Sequence, residues 1–310
     1  MFIDNLIDKI KKLDNPTVAG LDPKLDYIPA FILEKAFKEY GQNELGAAKA
    51  ILEFNKGLID GLYDVVPAVK PQLAYYEMYG IEGLKTMQET VSYARSKGME
   101  VILDAKRNDI GSTAEAYSTA FLGKTKIGNS EKAMFEADAL TVSPYFGIDG
   151  VEPFIKDCEK YGKGIFILVK TSNKSSGQLQ DLKTEAGTPI YEIMANYVND
   201  WGKNTIGKHG YSSIGAVVGA TYPKQCAELR VIMQNAYFLV PGYGAQGGGA
   251  KDVAPAFNKD GLGAIVNSSR GIMCAYKSAM YSDKYSEEAY SEAARAEALR
   301  MKEDINSVIK

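Results

Sequence analysis

Eight short apolar runs punctuate the chain: TVAGLD (17–22), AVKPQ (68–72), EVILDAK (100–106), ALTVSPY (139–145), GIFILVKT (164–171), SIGAVVGA (213–220), YFLVPGYG (237–244) and GAIVNSSR (263–270). Several are almost continuously hydrophobic over strand length, the pattern of parallel strands covered on both faces. Between them lie stretches of helical spacing, such as Leu84–Lys97 and Thr113–Gly123. Strand and helix alternate eight times, which predicts an α/β fold of the (β/α)8 TIM-barrel type. A doubly wound open sheet is the alternative with the same local pattern.

Two intervals are long: 23–67, with helices expected at 31–40 and 46–62, and 172–212. Both read as extended βα loops. No repeat or linker divides the chain, so residues 1–310 are expected to form a single domain. The tail places Ala294, Ala298, Met301, Ile305 and Val308 at helical spacing, a C-terminal closing helix that packs on the barrel.

With 45% hydrophobic and 24% charged residues, the composition is that of an ordinary globular protein. A net charge of −3 argues against a nucleic-acid partner, yet allows a small anionic substrate held in a local positive pocket. Cys158, Cys226 and Cys274 lie far apart without a CxxC, as expected of free thiols in a reducing compartment. In the opening MFIDNLIDKIKKL, Asp4 and Asp8 interrupt any secretory apolar core. Phe2, Leu6, Ile10 and Leu13 make it an amphipathic helix instead. No stretch approaches the roughly 18 apolar residues of a membrane span. These features predict a soluble, cytoplasmic protein.

In such a barrel the active site lies at the C-terminal strand ends. The polar residues gather there: Asp22 after the first run, Lys70 on the second, Asp104 and Lys106 on the third, Lys170-Thr171-Ser172-Asn173 after the fifth, and Ser268-Ser269-Arg270 on the eighth. A lone aspartate at a strand end is ordinarily a turn or cap residue. Charges at the same end of four strands instead converge on one cavity.

The stretch VILDAKRNDIGST (101–113) sharpens the point. If Val101–Lys106 is extended, Asp104 and Lys106 point the same way. Asp109 has an ordinary reading as the cap of a helix starting near Gly111. The functional reading is an alternating array of Lys70, Asp104, Lys106 and Asp109, which holds a lysine charged among carboxylates. A lysine kept charged is a proton donor and cation anchor, and a poor Schiff-base nucleophile.

VPGYGAQGGG contains G-x-G-x-x-G at Gly242, Gly244 and Gly247. It follows the seventh strand, and no ribose-binding acid ends the next one, so a dinucleotide site is a weak reading. Loops after strands seven and eight of a barrel commonly bind phosphate. Glycines there expose backbone N–H groups, and Arg270 can clamp a dianion through paired hydrogen bonds. His209 is the only histidine, which excludes histidine triads and multi-histidine zinc sites. The acids of QDLKTE match no metal motif.

The D-x-K-R-x-D-I-x-x-T pattern of 104–113 resembles the signature of orotidine 5′-phosphate decarboxylases. Thr171–Asn173, PGYGAQGG (241–248) and Ser269-Arg270 match as well, and the two long insertions are similar to the longer bacterial branch. The resemblance covers essentially the whole barrel. It implies that Asp22 and Lys70 contact the ribose hydroxyls and that Asp104 and Lys106 face the reacting carbon. Ser172 would hydrogen-bond the pyrimidine, while Gln246 and Arg270 hold the phosphate. Asp109 and Thr113 would reach into the partner's site of a homodimer. Lys174, where many relatives have proline, and Tyr243, where they often have a small aliphatic residue, depart from the family pattern.

The implied reaction converts orotidine 5′-monophosphate to UMP and CO2, the last step of de novo pyrimidine synthesis, without cofactor or metal. The departing CO2 leaves an electron pair on a ring carbon, which the protein must stabilise electrostatically. Repulsion between Asp104 and the substrate carboxylate, about 4 kcal/mol at 4 Å and an effective dielectric of 20, is too small to drive this alone. The larger share falls to Lys106, as carbanion stabiliser and proton donor. Two rival readings remain: a Mg2+-dependent sugar-phosphate decarboxylase or aldol-type synthase on the same barrel, and a non-catalytic binder of phosphate ligands.

Overall fold

The computed structural model describes residues 1–244 and 247–310. Eight parallel strands close into a barrel: β1 (Thr17–Leu21), β2 (Ala68–Pro71), β3 (Glu100–Arg107), β4 (Ala139–Val142), β5 (Gly164–Lys170), β6 (Ser212–Val218), β7 (Ala236–Val240) and β8 (Ala264–Ser268). Each pairs with its neighbours in chain order, and β8 returns to β1 through Thr17 opposite Val266. The closed barrel replaces the open-sheet alternative.

Strand periodicity divides the barrel interior into layers. Val18, Ala68, Ile102, Ala139, Phe166, Tyr237 and Ile265 face inward at the lower level. They pack with Phe2, Ile3, Leu6, Ile7 and Ile10 of the N-terminal helix Phe2–Leu13, which plugs the bottom mouth. The next inward residue lies two positions along each strand. That step brings Lys70, Asp104, Thr141, Leu168, Leu239 and Asn267 to the upper level, where they line a cavity. The intervening residues, such as Val69, Leu103, Leu140, Ile167 and Val266, face outward into the core beneath the helices. An apolar layer thus supports a mixed one that carries the charged groups.

The interval 23–67 holds helices Ala30–Tyr40 and Glu44–Leu62. Asn43 starts the second by accepting the Gly46 N–H at 3.0 Å. The tail is the helix Tyr290–Ile309, with Ala294, Ala298, Met301 and Ile305 fully buried against the barrel and Val308 half-buried. One element has no counterpart in the apolar pattern: a small antiparallel hairpin, Thr125–Ile127 with Ser130–Lys132, turning at Gly128 and Asn129. Among the described residues no helix is long and apolar enough to cross a membrane.

Candidate active site

A cavity of about 630 Å3 opens at the C-terminal end of the barrel. Asp104 stands at its centre, and four donors meet its carboxylate. Lys106 Nζ at 2.6 Å and Thr141 Oγ1 at 2.9 Å donate to Oδ1. Lys70 Nζ and Gln72 Nε2, each at 2.9 Å, donate to Oδ2. Burial alone would raise the Asp104 carboxyl, yet the charges of Lys70 and Lys106 hold it well below the usual carboxylate range. Lys70 is almost completely buried and also lies 3.9 Å from Asp22 Oδ1. Burial pulls its ammonium down, but Asp104 and Asp22 outweigh that effect and hold it above the ordinary lysine value.

The convergence of Asp104 and Lys106 does not come from simple strand alternation. Leu103 pairs with Leu140 and Arg107 with Val142, so 104–106 bulge opposite the single residue Thr141. Lys106 adopts φ 49°, in the left-handed region that non-glycine residues avoid. Arg107, the next residue, turns away to pair with Glu77 and lies over the Tyr117 and Phe121 rings.

Arg270, Ser269, Pro241, Gly242 and Tyr243 line the same cavity at the ends of β7 and β8. Gly244, at φ 70°, donates its N–H to the Gly248 carbonyl at 2.7 Å, a conformation that favours glycine. Tyr243 Oη donates to Asp304 Oδ2 of the C-terminal helix at 2.5 Å. Gln246 lies outside the described residues.

Thr171, Ser172 and Asn173 complete the rim. Thr221 Oγ1 donates to the Ser172 carbonyl at 3.0 Å, and Tyr222 Oη to that of Asn173 at 3.2 Å. From the other side Gln180 accepts the Thr171 N–H at 3.0 Å and donates to its hydroxyl at 2.9 Å. A side chain at Gly219 would meet Ser172 Cα at 2.7 Å, so only glycine admits this approach.

Of the residues expected at the site, Asp22, Lys70, Asp104, Lys106, Ser172 and Arg270 meet in this cavity. Asp109 and Thr113 lie outside its lining, the first half-buried and the second exposed. Asp109 is no helix cap either: its Oδ1 accepts the N–H of Ile110 at 2.8 Å, and the helix Gly111–Phe121 begins without a side-chain cap. Gln72, Thr141 and Asn267 also line the cavity, although no motif in the sequence marks them. Once strand register is fixed, the two-residue step from Ala139 and Ile265 identifies the latter two.

The closed barrel and the charged array in its C-terminal cavity define a (β/α)8-barrel protein with a candidate active site at the strand ends. Comparison with known proteins narrows this: residues 51–285 match the Orotidine 5′-phosphate decarboxylase / HUMPS family, and the chain belongs to it. A Caldicellulosiruptor bescii protein named orotidine 5′-phosphate decarboxylase is 44% identical over 283 residues, covering 91% of this chain and 92% of its own. A Clostridium perfringens protein of the same name is 42% identical over 309 residues, covering 100% of this chain and 99% of its own. The solved structure of Leishmania donovani OMP decarboxylase superposes with a TM-score of 0.74 at 29% identity, covering 99% of this chain and 98% of that one.

Proposed function

We propose that the chain decarboxylates orotidine 5′-monophosphate to UMP and CO2 in pyrimidine nucleotide synthesis, without cofactor. The observation that carries this reading is the placement of two ammoniums on opposite oxygens of Asp104, in the cavity that Arg270 also lines. The bond from the ring carbon to the carboxylate breaks, its electron pair stays on carbon, and CO2 departs. Lys106 Nζ faces that carbon, stabilises the carbanion and gives it a proton. Asp104 lies near the departing carboxylate. Asp22 and Lys70 take the ribose hydroxyls, Ser172 the pyrimidine, and Arg270 with Gln246 the phosphate. Holding the remote phosphate supplies binding energy that is used at the reacting carbon.

The whole chain acts as one catalytic domain, since both terminal helices pack on the barrel. It works in the cytoplasm, which its free thiols suit. It pairs as a homodimer in which Asp109 and Thr113 serve the neighbour's cavity. Supporting this, Asn108, Asp109 and Phe146 approach Gly150, and the flanking residues Ile110, Tyr145, Phe146 and Ile148 are exposed. An apolar edge of this kind next to a functional loop suits burial by a second copy.

The ultraviolet assay of orotidine 5′-monophosphate loss, run with EDTA, tests the reaction. Full turnover is expected. Activity that disappears with chelator would favour the Mg2+-dependent sister chemistry, and tight UMP binding without turnover would make the protein a binder only.

A further inference from the structure

Thr141, which lies outside the motif, makes three hydrogen bonds to the β3 segment that carries Asp104 and Lys106. Its hydroxyl accepts the backbone N–H of Ala105 at 3.0 Å and of Lys106 at 2.9 Å, and donates to Asp104 Oδ1 at 2.9 Å. A hydroxyl has one proton and two lone pairs, so all its capacity is committed. It has none left for a substrate.

The two N–H groups it accepts belong to the bulge, where three residues of β3 face one of β4 and the main-chain ladder is interrupted. Without Thr141 two backbone donors beside the cavity would lack this acceptor, and buried donors left unmade are costly. The bulge also carries the left-handed turn at Lys106, φ 49°, a backbone state that persists only when its surroundings over-determine it. Lys106 is the most exposed member of the array, its side chain 47% accessible, so its direction depends on the backbone beneath it. Lys70 is held by burial and needs no such help.

Resting on the decarboxylase reading above, we infer that Thr141 is a positioning residue: it locks the left-handed bulge that aims Lys106 at the reacting carbon, and in the same act fixes the Asp104 oxygen that Lys106 shares. Serine would supply the same three hydrogen bonds. Valine keeps the shape and removes them all.

The test uses the full chain and the variants Thr141→Val and Thr141→Ser. Thr141→Val is expected to lower kcat about 100-fold, the effect of misplacing a reacting group by ~1 Å. Its affinity for UMP should stay within about threefold, because ribose and phosphate contacts lie elsewhere. Thr141→Ser should retain most of kcat. Amide hydrogen exchange gives a readout independent of turnover and of variant folding. In the wild-type protein the Ala105 and Lys106 amides should be protected, and in Thr141→Val they should exchange faster than their strand neighbours. Unprotected amides in the wild type, full kcat in the valine variant, or a serine variant as damaged as valine would each overturn the role of Thr141. A wild-type protein with protected amides and no turnover would instead overturn the decarboxylase reading and leave the bulge lock standing.

Discussion

The Lys170 ammonium is completely buried and rests 2.6 Å from the Asp181 carboxylate, eleven residues along the chain. Tyr222 stacks over the same ammonium at 4.6 Å, and Gln225 also donates to Asp181 at 3.0 Å. Asp181 follows Gln180, which grips Thr171, so the pair fastens the long strap after β5 to the strand that ends in the Ser172 turn. Removing one partner of a buried pair leaves a charge uncompensated. Asp181 is partly solvated, which reduces that cost. Asp181→Asn should destabilise the fold by about 2 kcal/mol and raise KM for the nucleotide. Adding Lys170→Met removes the stranded charge and seats a thioether among the tyrosine rings, so the double variant should recover most of the stability. Urea denaturation of the three proteins measures this. A double variant no more stable than Asp181→Asn alone would refute the pairing.

Lys106→Ala should abolish decarboxylation while UMP binding largely survives, because the proposed roles give the carbon to Lys106 and the distant phosphate to Arg270. A variant retaining about a tenth of wild-type turnover would exclude Lys106 as proton donor, since that residual rate corresponds to only ~1.4 kcal/mol. Arg270→Ala should lower kcat/KM through both binding and chemistry. Phosphite dianion should partly restore turnover of a substrate truncated at its phosphate.

The array also ties stability to pH. The Asp104 carboxyl, despite burial, is held below its unfolded value near 4 by Lys70 and Lys106. Its contribution is therefore present above pH ~4 and declines as pH falls through the lower folded value. Lys70, raised by Asp104 and Asp22 over the opposing effect of burial, contributes below pH ~10.4 and loses that contribution as pH rises through its higher folded value. Between these limits the array leaves stability level. Below pH 4, Asp104 should add a slope of up to about 1.4 kcal/mol per pH unit, and Asp104→Asn should remove it. Urea midpoints at several acidic pH values check the difference in slope between the two proteins.

These interactions differ in how far the sequence announces them. The strands are legible because they are buried on both faces and nearly continuous, and the motif lysines and aspartates are legible because charge rarely ends such a strand. The hairpin Thr125–Lys132 is not, since its strands are short, polar and mostly exposed and carry no inward face to pattern. Alternation brings Asp104 and Lys106 to one side on paper, but the actual geometry depends on a hydroxyl from another strand. Asp181 and Asp304 are equally opaque: each meets its partner through a fold-level contact that leaves no local spacing.

Tyr243, expected from the resemblance to depart from the family pattern, hydrogen-bonds to Asp304. It ties the loop beside Arg270 to the C-terminal helix. Burial, reinforced by the Asp304 bond, pushes its phenol well above the ordinary tyrosine value, so it remains a neutral donor at physiological pH. Tyr243→Phe keeps the ring and loses the bond, about 1–2 kcal/mol for a charge-assisted contact that is partly buried. The expected outcome is a kcat/KM reduced about fivefold to tenfold, with unchanged turnover of the phosphate-truncated substrate. Equal losses on both substrates would detach Tyr243 from the phosphate end.

The placement of Asp109 allows a decisive test of the shared site. It lies three residues beyond Lys106, where the chain leaves β3, and stands outside the cavity that Lys106 lines. In the proposed isologous dimer the loop of each subunit would enter the other's cavity. Lys106→Ala and Asp109→Ala should each be inactive alone. Mixed under conditions that exchange subunits, they form hybrids with one site carrying both lesions and one carrying neither. Random exchange makes about half of the dimers hybrid, each with one intact site, so roughly a quarter of wild-type activity should return. If Asp109 served its own chain, every site would keep a lesion and mixing would restore nothing. Absence of recovery, with exchange verified by mass spectrometry of differently tagged subunits, would place Asp109 outside the neighbour's site.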